Sequence, residues 1–310
     1  MHAERRLRAP TLELNREAKI HDILGDTVST RLEASGVLAK DGAFYVIFDN
    51  VADIARLGPE LRPGMSNRII RQQRGHTDNF ETDGFEDIAY DLAADRFFIL
   101  IEALPRGSHT YMAKVQEYDS EFRYLRARWL NFPLDRANKG LEGLTCAHRG
   151  GRTYLLGLCE GNRCKGGAAG RQPGGGRIQI FEEADERWDH VGTIRLPTDL
   201  WFIDYSSIAV AGNRVAVLSQ ESSALWVGAF EPSGWGVIDG GRVYELPRDG
   251  DGEAVYRYAE GVSWLDDDHV VVVSDKAKAG HPAAPGGDKD QSIHVFALPG
   301  RPAPPFHARR

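Results

Sequence analysis

One pattern recurs five times along the chain and constrains its fold more than any compositional feature. SGVLAKDGAFYVIFDN from Ser35, EDIAYDLAADRFFILIEA from Glu86, EGLTCAHRGGRTYLLGLCEGN from Glu142, SSIAVAGNRVAVLSQES from Ser206 and EGVSWLDDDHVVVVSDK from Glu260 share one layout. Each reads as a short strand, a polar turn, an apolar strand and an acidic end. The apolar runs FYVIF, FFILI, TYLLGL, VAVL and VVVV are short, rich in β-branched or aromatic residues and bounded by turn formers, the signature of buried strands.

The copies begin roughly 50 to 65 residues apart, a spacing suited to four-stranded propeller blades with long loops. Two further strand-like runs follow the hairpin, as GRIQIFEEADE and RWDHVGTIRLP do in the third copy. The sequence therefore predicts an all-β fold, a five-bladed β-propeller of four-stranded antiparallel blades. The last copy is one strand short, because only RPAPPFHARR follows QSIHVFALPG. A segment around Thr11 to Leu14 is expected to supply the missing outer strand, so that the ring is closed by an N-terminal strand and no long edge stays exposed. Residues 1–298 then form one propeller domain, and the Pro-rich tail 299–310 is expected to be disordered.

The formal net charge of -7 argues against nucleic acid or an anionic membrane as a partner. The N-terminal MHAERRLRAPTLEL lacks the apolar segment of a secretion signal, and no stretch approaches the roughly 18 apolar residues of a membrane span. Cys146, Cys159 and Cys164 cannot all pair with one another, which favours a reducing cytoplasm over a disulfide scaffold. A cytoplasmic location is the expectation.

In a propeller the first strand of each blade lines the central channel, so Ser35, Glu86, Glu142, Ser206 and Glu260 should meet near one axis. Three carboxylates brought to roughly 6 Å would repel by about 3 kcal/mol per pair at an effective dielectric near 20. A cation reverses that sign. The donors are all oxygens, which suits Ca²⁺ with its flexible coordination better than Mg²⁺.

At these positions, in the contexts ASGVLA, FEDIAY, LEGLTC, YSSIAV and AEGVSW, the chain resembles the central calcium site of the calcium-activated nucleotidases, five-bladed apyrases that hydrolyse nucleoside diphosphates. The likeness spans the repeats, roughly residues 30–297, and its specific part is those five motifs. It implies a propeller and a bound Ca²⁺ held by Ser35, Glu86, Glu142, Ser206 and Glu260, and it points to phosphoanhydride hydrolysis.

A second ring, Asp49, Glu102, Glu160, Glu221 and Asp275, follows the first by roughly fifteen residues, at the ends of the second strands. The strands of a hairpin run antiparallel, so both rings should share one mouth of the channel. Asp49, Glu102 and Glu160 are candidate general bases. Basic residues on loops leaving that mouth, Arg74, Arg106, Arg163, Lys165 and Lys276 with Arg71, His76, His109, Arg171, Lys278 and His281, suit an anionic small-molecule substrate, to which Glu221 and Asp275 would add contacts. The resulting expectation is a calcium-dependent hydrolase of a phosphorylated small molecule such as a nucleotide. The alternatives are a lactonase or phytase-like esterase, or a non-catalytic scaffold stabilised by calcium.

Other signals carry less. Residues 161–177, GNRCKGGAAGRQPGGGR, are glycine-rich and basic but lack GxxxxGK[ST], and read as a flexible mouth loop. Asp249 to Glu260 has EF-hand spacing, yet Ala254 stands where glycine is required. There is no HExxH and no GxSxG, and Asp266, Asp267 and Asp268 read as a hairpin turn at the opposite mouth.

Overall fold

The apolar second strands are buried on both faces, and their side chains alternate between two cores. In HVVVVS, Val270 to Val273 are all 0% exposed. Val270 and Val272 pack with Ala216, Leu218 and Leu225 of the preceding repeat, whereas Val271 and Val273 pack with Val37, Phe44 and Val46 of the first. The period of two in a strand thus sends alternate residues into the two flanking interfaces. Burying one such side chain contributes about 1.5–3 kcal/mol, and the pattern recurs: Phe98 and Leu100 face the third repeat, Phe97 and Ile99 the first.

The computed structural model describes residues 9–25, 32–71, 84–106, 110–136, 140–276 and 289–300. Twenty strands fall into five antiparallel four-stranded units. The first comprises β2 (Ala34–Lys40), β3 (Ala43–Phe48), β4 (Ile54–Leu57) and β5 (Arg68–Ile70). The second comprises β6 (Phe85–Asp91), β7 (Arg96–Pro105), β8 (Tyr111–Asp119) and β9 (Tyr124–Asn131). The third has β10 (Leu141–Arg149), β11 (Arg152–Cys159), β12 (Arg177–Glu183) and β13 (Arg187–Arg195). The fourth has β14 (Ser207–Ala211), β15 (Arg214–Ser219), β16 (Ala224–Phe230) and β17 (Val237–Glu245). The fifth has β18 (Ala259–Trp264), β19 (His269–Ser274) and β20 (Ser292–Ala297), completed by β1 (Glu13–Lys19). The first strands touch in a closed cycle, β2 to β6 to β10 to β14 to β18 and back to β2. This is an all-β fold of the propeller type.

The closing strand is later than expected. Glu13–Lys19 pairs antiparallel with β20, from Glu13 opposite Ala297 to Lys19 opposite Ser292, while Thr11 bridges to Glu245 of the fourth unit. Polar ELNREAK carries no apolar alternation because it is an outer strand with only partial burial. Charge holds it instead. Glu17 accepts from Nδ1 of buried His294 at 3.1 Å and pairs with Lys289, and Lys19 Nζ meets Asp290 Oδ1 at 2.7 Å. Ser274 Oγ lies 3.1 Å from His294 Nε2, so a neutral ring with hydrogen on Nδ1 satisfies both neighbours.

The His294 hydrogen bond, with Lys289 adding, holds the Glu17 carboxyl at about 2, and burial lowers His294 below 6.5. Both depressed values stabilise the fold above the unfolded-state values and withdraw that stability in acid, His294 below pH 6.5 and Glu17 from pH 4.5 down through about 2. Melting temperature should therefore fall with pH in two stages. Glu17→Gln should cost stability at neutral pH, and its deficit against wild type should shrink as pH drops below 4.5. A deficit that stays constant down to pH 2 would refute the assignment.

The second and third units differ from the rest: their outer strands β9 and β13 pair in parallel, Arg187–Asp189 against Trp129–Asn131, making one eight-stranded sheet. Beneath that seam Glu117 is fully buried. Its carboxylate accepts from Arg128 Nε at 2.5 Å, Arg126 Nε at 3.0 Å, Arg96 Nη1 at 3.2 Å and Trp188 Nε1 at 3.3 Å. Hydrogen bonds from Arg96 above all hold the neighbouring Glu183 at about 2.

Cys159 and Cys164 are joined in a disulfide, which runs against the expectation of a reducing environment. The turn Asn162–Cys164, with Arg163 and Cys164 at positive φ, folds the chain back over only four intervening residues. Disulfides persist in oxidising compartments, so the cysteines give no support to a cytoplasmic placement. Among the described residues no helix is long and apolar enough to cross a membrane.

Candidate functional site

The five expected ring positions share one structural address, the start of each first strand. Ser35, Glu142 and Glu260 are the extra residues of β-bulges, skipped between Ala34 and Gly36, Leu141 and Gly143, and Ala259 and Gly261; Glu86 lies in the irregularity between Phe85 and Ile88. Ser206 immediately precedes β14, donating its backbone N–H to Leu218 and its hydroxyl to the Ala259 carbonyl at 3.1 Å. A bulge leaves its extra residue outside the ladder and re-aims its side chain.

The second ring comes to the same end through a repeated backbone bond. Asp49 N–H bonds Glu33, Glu160 N–H bonds Gly140 and Asp275 N–H bonds Tyr258, each acceptor lying two residues before its first-ring partner. In the fourth unit the register corrects the expectation. Ser207 pairs with Leu218, as Gly36 pairs with Ile47, so Gln220 and not Glu221 matches Asp49. Gln220 Nε2 donates to Glu260 Oε1 at 2.5 Å. Glu221, one residue on, is exposed and binds Arg171, with Nη1 to Oε1 at 2.6 Å.

One step inside the first ring stand Gly36, Asp87, Gly143, Ser207 and Gly261, and here the strands nearly touch. A Cβ on Gly36 would lie 2.9 Å from the Asp87 Cα, and one on Gly261 would lie 2.8 Å from the Gly36 Cα. Asp87 fills this level. Its carboxylate, 1% exposed, accepts from Ile88 N at 2.8 Å, Leu144 N at 3.0 Å and Ser207 Oγ at 2.8 Å, with Ile208 N–H as a further donor. Ser207 Oγ in turn accepts from Val262 N at 3.1 Å. Burial raises the Asp87 carboxyl well above the ordinary range, against the pull of those donors. Just inside the expected ring positions the first strands therefore close into a packed floor. The recurring small residue after each ring position was the signal for this level; Asp87 was hidden behind Glu86.

Ser35 Oγ is buried with no hydrogen-bond partner among the described residues. An orphaned hydroxyl in an all-oxygen set fits a hard cation such as Ca²⁺. Among the described residues the three ring carboxylates do not converge within 4.8 Å of one another, a closeness reached only by Asp91, Cys146 and His148.

Beside the ring, Glu160, Lys165, Arg171, Asp204 and Glu221 line a cleft of about 150 Å³. Asp204, absent from the sequence reading, is pushed up by burial; its carboxylate accepts from Ser219 Oγ and from Glu221 N at 3.0 Å. The glycine-rich loop is stitched down rather than flexible. Asn162 donates to Gly170 O and Phe202 O at 2.9 and 3.1 Å, and accepts from Gly175 N and Tyr205 Oη at 2.8 and 3.0 Å.

Four of the expected cations, Lys165, Arg171, Lys276 and Arg106, are already engaged. Lys165 pairs with Asp135 at 2.5 Å and Lys276 with Glu33 at 2.8 Å, while Arg106 stacks on Trp129 of the outer strand β9 at 4.9 Å. Arg163 is exposed. Arg74, His76, His109, Lys278, His281 and the side chain of Glu102 lie outside the described residues. A larger cavity, about 340 Å³, lies at the outer strand β17 near Trp201, Trp226 and Arg242, and none of the ring residues lines it.

Fold and site together describe an all-β, propeller-like protein whose first strands begin at matched serine and glutamate positions over a packed floor. No known family matches the sequence, and no curated protein does. Among solved structures the chain is similar to Myxococcus xanthus glutaminyl cyclase at 10% identity and a TM-score of 0.48, covering 93% of this chain and 97% of that one. It is also similar to the PQQ-bound aldose sugar dehydrogenase of Streptomyces coelicolor at 13% identity and a TM-score of 0.46, covering 91% and 98%.

Proposed function

We propose that the chain is a five-bladed propeller whose mouth binds Ca²⁺ and hydrolyses a phosphorylated small molecule such as a nucleotide. The observation that carries this reading is the matched placement of Ser35, Glu86, Glu142, Ser206 and Glu260 at the entrance of their strands, directly above the floor made by Asp87. These five would hold the ion. A bound Ca²⁺ would orient the substrate and polarise its phosphoryl oxygen. Asp49, Glu102 and Glu160 supply carboxylates beside the ring to take a proton from the attacking water. Asp204, in the adjacent cleft, adds another carboxylate. Lys165, Arg171 and Lys276 would exchange their partners for substrate; the exposed Lys165 and Arg171 pairs are worth about 0–1 kcal/mol, so their release costs little, whereas the half-buried Lys276–Glu33 pair is held more firmly.

One observation favours a second reading, a calcium-stabilised scaffold without turnover: those same cations already have carboxylate partners. One experiment separates the two. Ca²⁺ should raise the melting temperature of EDTA-treated protein, and Glu142→Gln should reduce the shift. In a hydrolase screen of nucleotides, sugar phosphates, lactones and esters with Ca²⁺ present, at least one of Asp49→Asn, Glu102→Gln and Glu160→Gln should lose about 100-fold in kcat while keeping the calcium shift. A calcium shift without turnover on any substrate establishes the scaffold; no shift, with no metal on elemental analysis, removes the ring reading altogether.

A further inference from the structure

At the far ends of the first strands, away from the mouth, the second and third units bring together side chains that the channel chemistry leaves unused. Cys146 and His148 stand two apart on β10, hence on one face, and Asp91 ends β6 beside them. Asp91 Oδ1 is 3.1 Å from His148 Nε2, and Cys146 Sγ is 3.9 Å from the same nitrogen. All three donor atoms lie within 4.8 Å of one another. We propose that Asp91, Cys146 and His148 form a binding site for a borderline-soft divalent transition ion of the zinc class, with a fourth coordination position open to solvent.

The distances match that chemistry. A tetrahedral ion with bonds of about 2.3 Å to sulfur and about 2.0 Å to nitrogen and oxygen separates S from N by about 3.5 Å and N from O by about 3.3 Å. The observed spacings differ from these by only a few tenths of an ångström. Mixed S, N and O donors select zinc-like ions over Ca²⁺ or Mg²⁺. The surroundings are arranged as an outer shell. Thr153 Oγ1 is 3.3 Å from His148 Nδ1 and 3.3 Å from Asp91 Oδ2, while Ala93 N and Ala94 N donate to Asp91 Oδ1 at 2.9 and 3.1 Å. Asp91 is completely buried and fixed, whereas His148 is 39% exposed and gives an entry path. Arg96 Nη2 stands 3.6 Å from Asp91 Oδ2, its charge balanced by Glu117 and Glu183.

A nucleophilic triad is the competing use of these residue types. It requires thiol and carboxylate on opposite ring nitrogens, with the imidazole relaying between them. Here both converge on Nε2, an arrangement that surrounds an ion and cannot relay a proton. Burial and the neighbouring Asp91 push the Cys146 thiol up, so an incoming ion must displace its proton.

Titration of metal-free protein with Co²⁺ tests the site. One ion per chain should bind with tetrahedral visible bands and a thiolate-to-cobalt charge-transfer band, and Zn²⁺ should displace it. Cys146→Ser should remove the charge-transfer band, and both it and His148→Gln should weaken Zn²⁺ binding by about 100-fold or more, beyond the 10–100-fold of losing an outer partner. Circular dichroism and the melting temperature of these partly exposed variants check that they fold, and their calcium shift should match wild type. Absence of the charge-transfer band at saturating Co²⁺, or unchanged Zn²⁺ affinity in Cys146→Ser, overturns the proposal.

Discussion

Asp87→Ala should cost on the order of 5 kcal/mol, a third or more of the total stability if that lies in the usual range of about 5–15 kcal/mol. The carboxylate collects donors from three separate units: Ile88 on its own strand, Leu144 on β10, and Ser207 with Ile208 on β14. Alanine orphans all of them in a water-free interior, at about 1–3 kcal/mol each before relaxation. Asn keeps one acceptor oxygen but turns an amide N–H₂ toward donors, so Asp87→Asn should fall between. Ser207→Ala, which removes one link to Asp87 and one from Val262, should cost about 1–2 kcal/mol and still fold. Urea unfolding of the three variants gives the ranking. An Asp87→Ala protein within about 1 kcal/mol of wild type would show that the floor does not hold the units together.

The second large effect lies at the seam between the second and third units. Glu117→Ala should destabilise the protein by about 3–5 kcal/mol, because it leaves Arg128, itself 3% exposed, as a buried charge with Glu183, the Ala184 carbonyl and the Trp188 ring as its remaining neighbours. The loss should exceed that of Glu182→Ala, whose partner Arg152 is 66% exposed and whose ion pair should be worth less than about 1 kcal/mol. Removing Arg128 as well should recover part of the deficit, and the double-mutant cycle should show coupling well above 0.5 kcal/mol. Additive losses for Glu117→Ala and Arg128→Ala would mean that the two groups act independently.

The repeats were legible because the second strands are buried on both faces. That burial forces runs such as FFILI and VVVV, which no solvent-facing strand needs. The closing strand was harder to place, since Glu13–Lys19 is held by Glu17, Lys19 and their charged partners rather than by an apolar stripe. The ring positions could be read from their spacing, but the turn after β15 hid the one-residue offset that puts Gln220 where a carboxylate was expected. Asp87, Asp204 and the Glu117 network escaped notice for a common reason. Their roles depend on which strands become neighbours, a fact that a carboxylate in sequence does not carry. The cysteine count misled because pairing depends on a tight turn at Arg163, not on parity.

The parallel pairing of β9 with β13 makes the five joints of the ring unequal. Among the described residues the other four joints carry no strand ladder, only side-chain contacts and isolated backbone bonds such as that between Thr11 and Glu245, and can part more readily. The fifth is welded, so the second and third units should open, exchange amide hydrogens and collapse as one double-sized foldon. Any breathing that widens the mouth is then borne by the unwelded joints. Asp87 sits in the welded pair and grips the fourth unit from it, so hydrogen exchange should show that pair as the stator, slower to open than the remaining units.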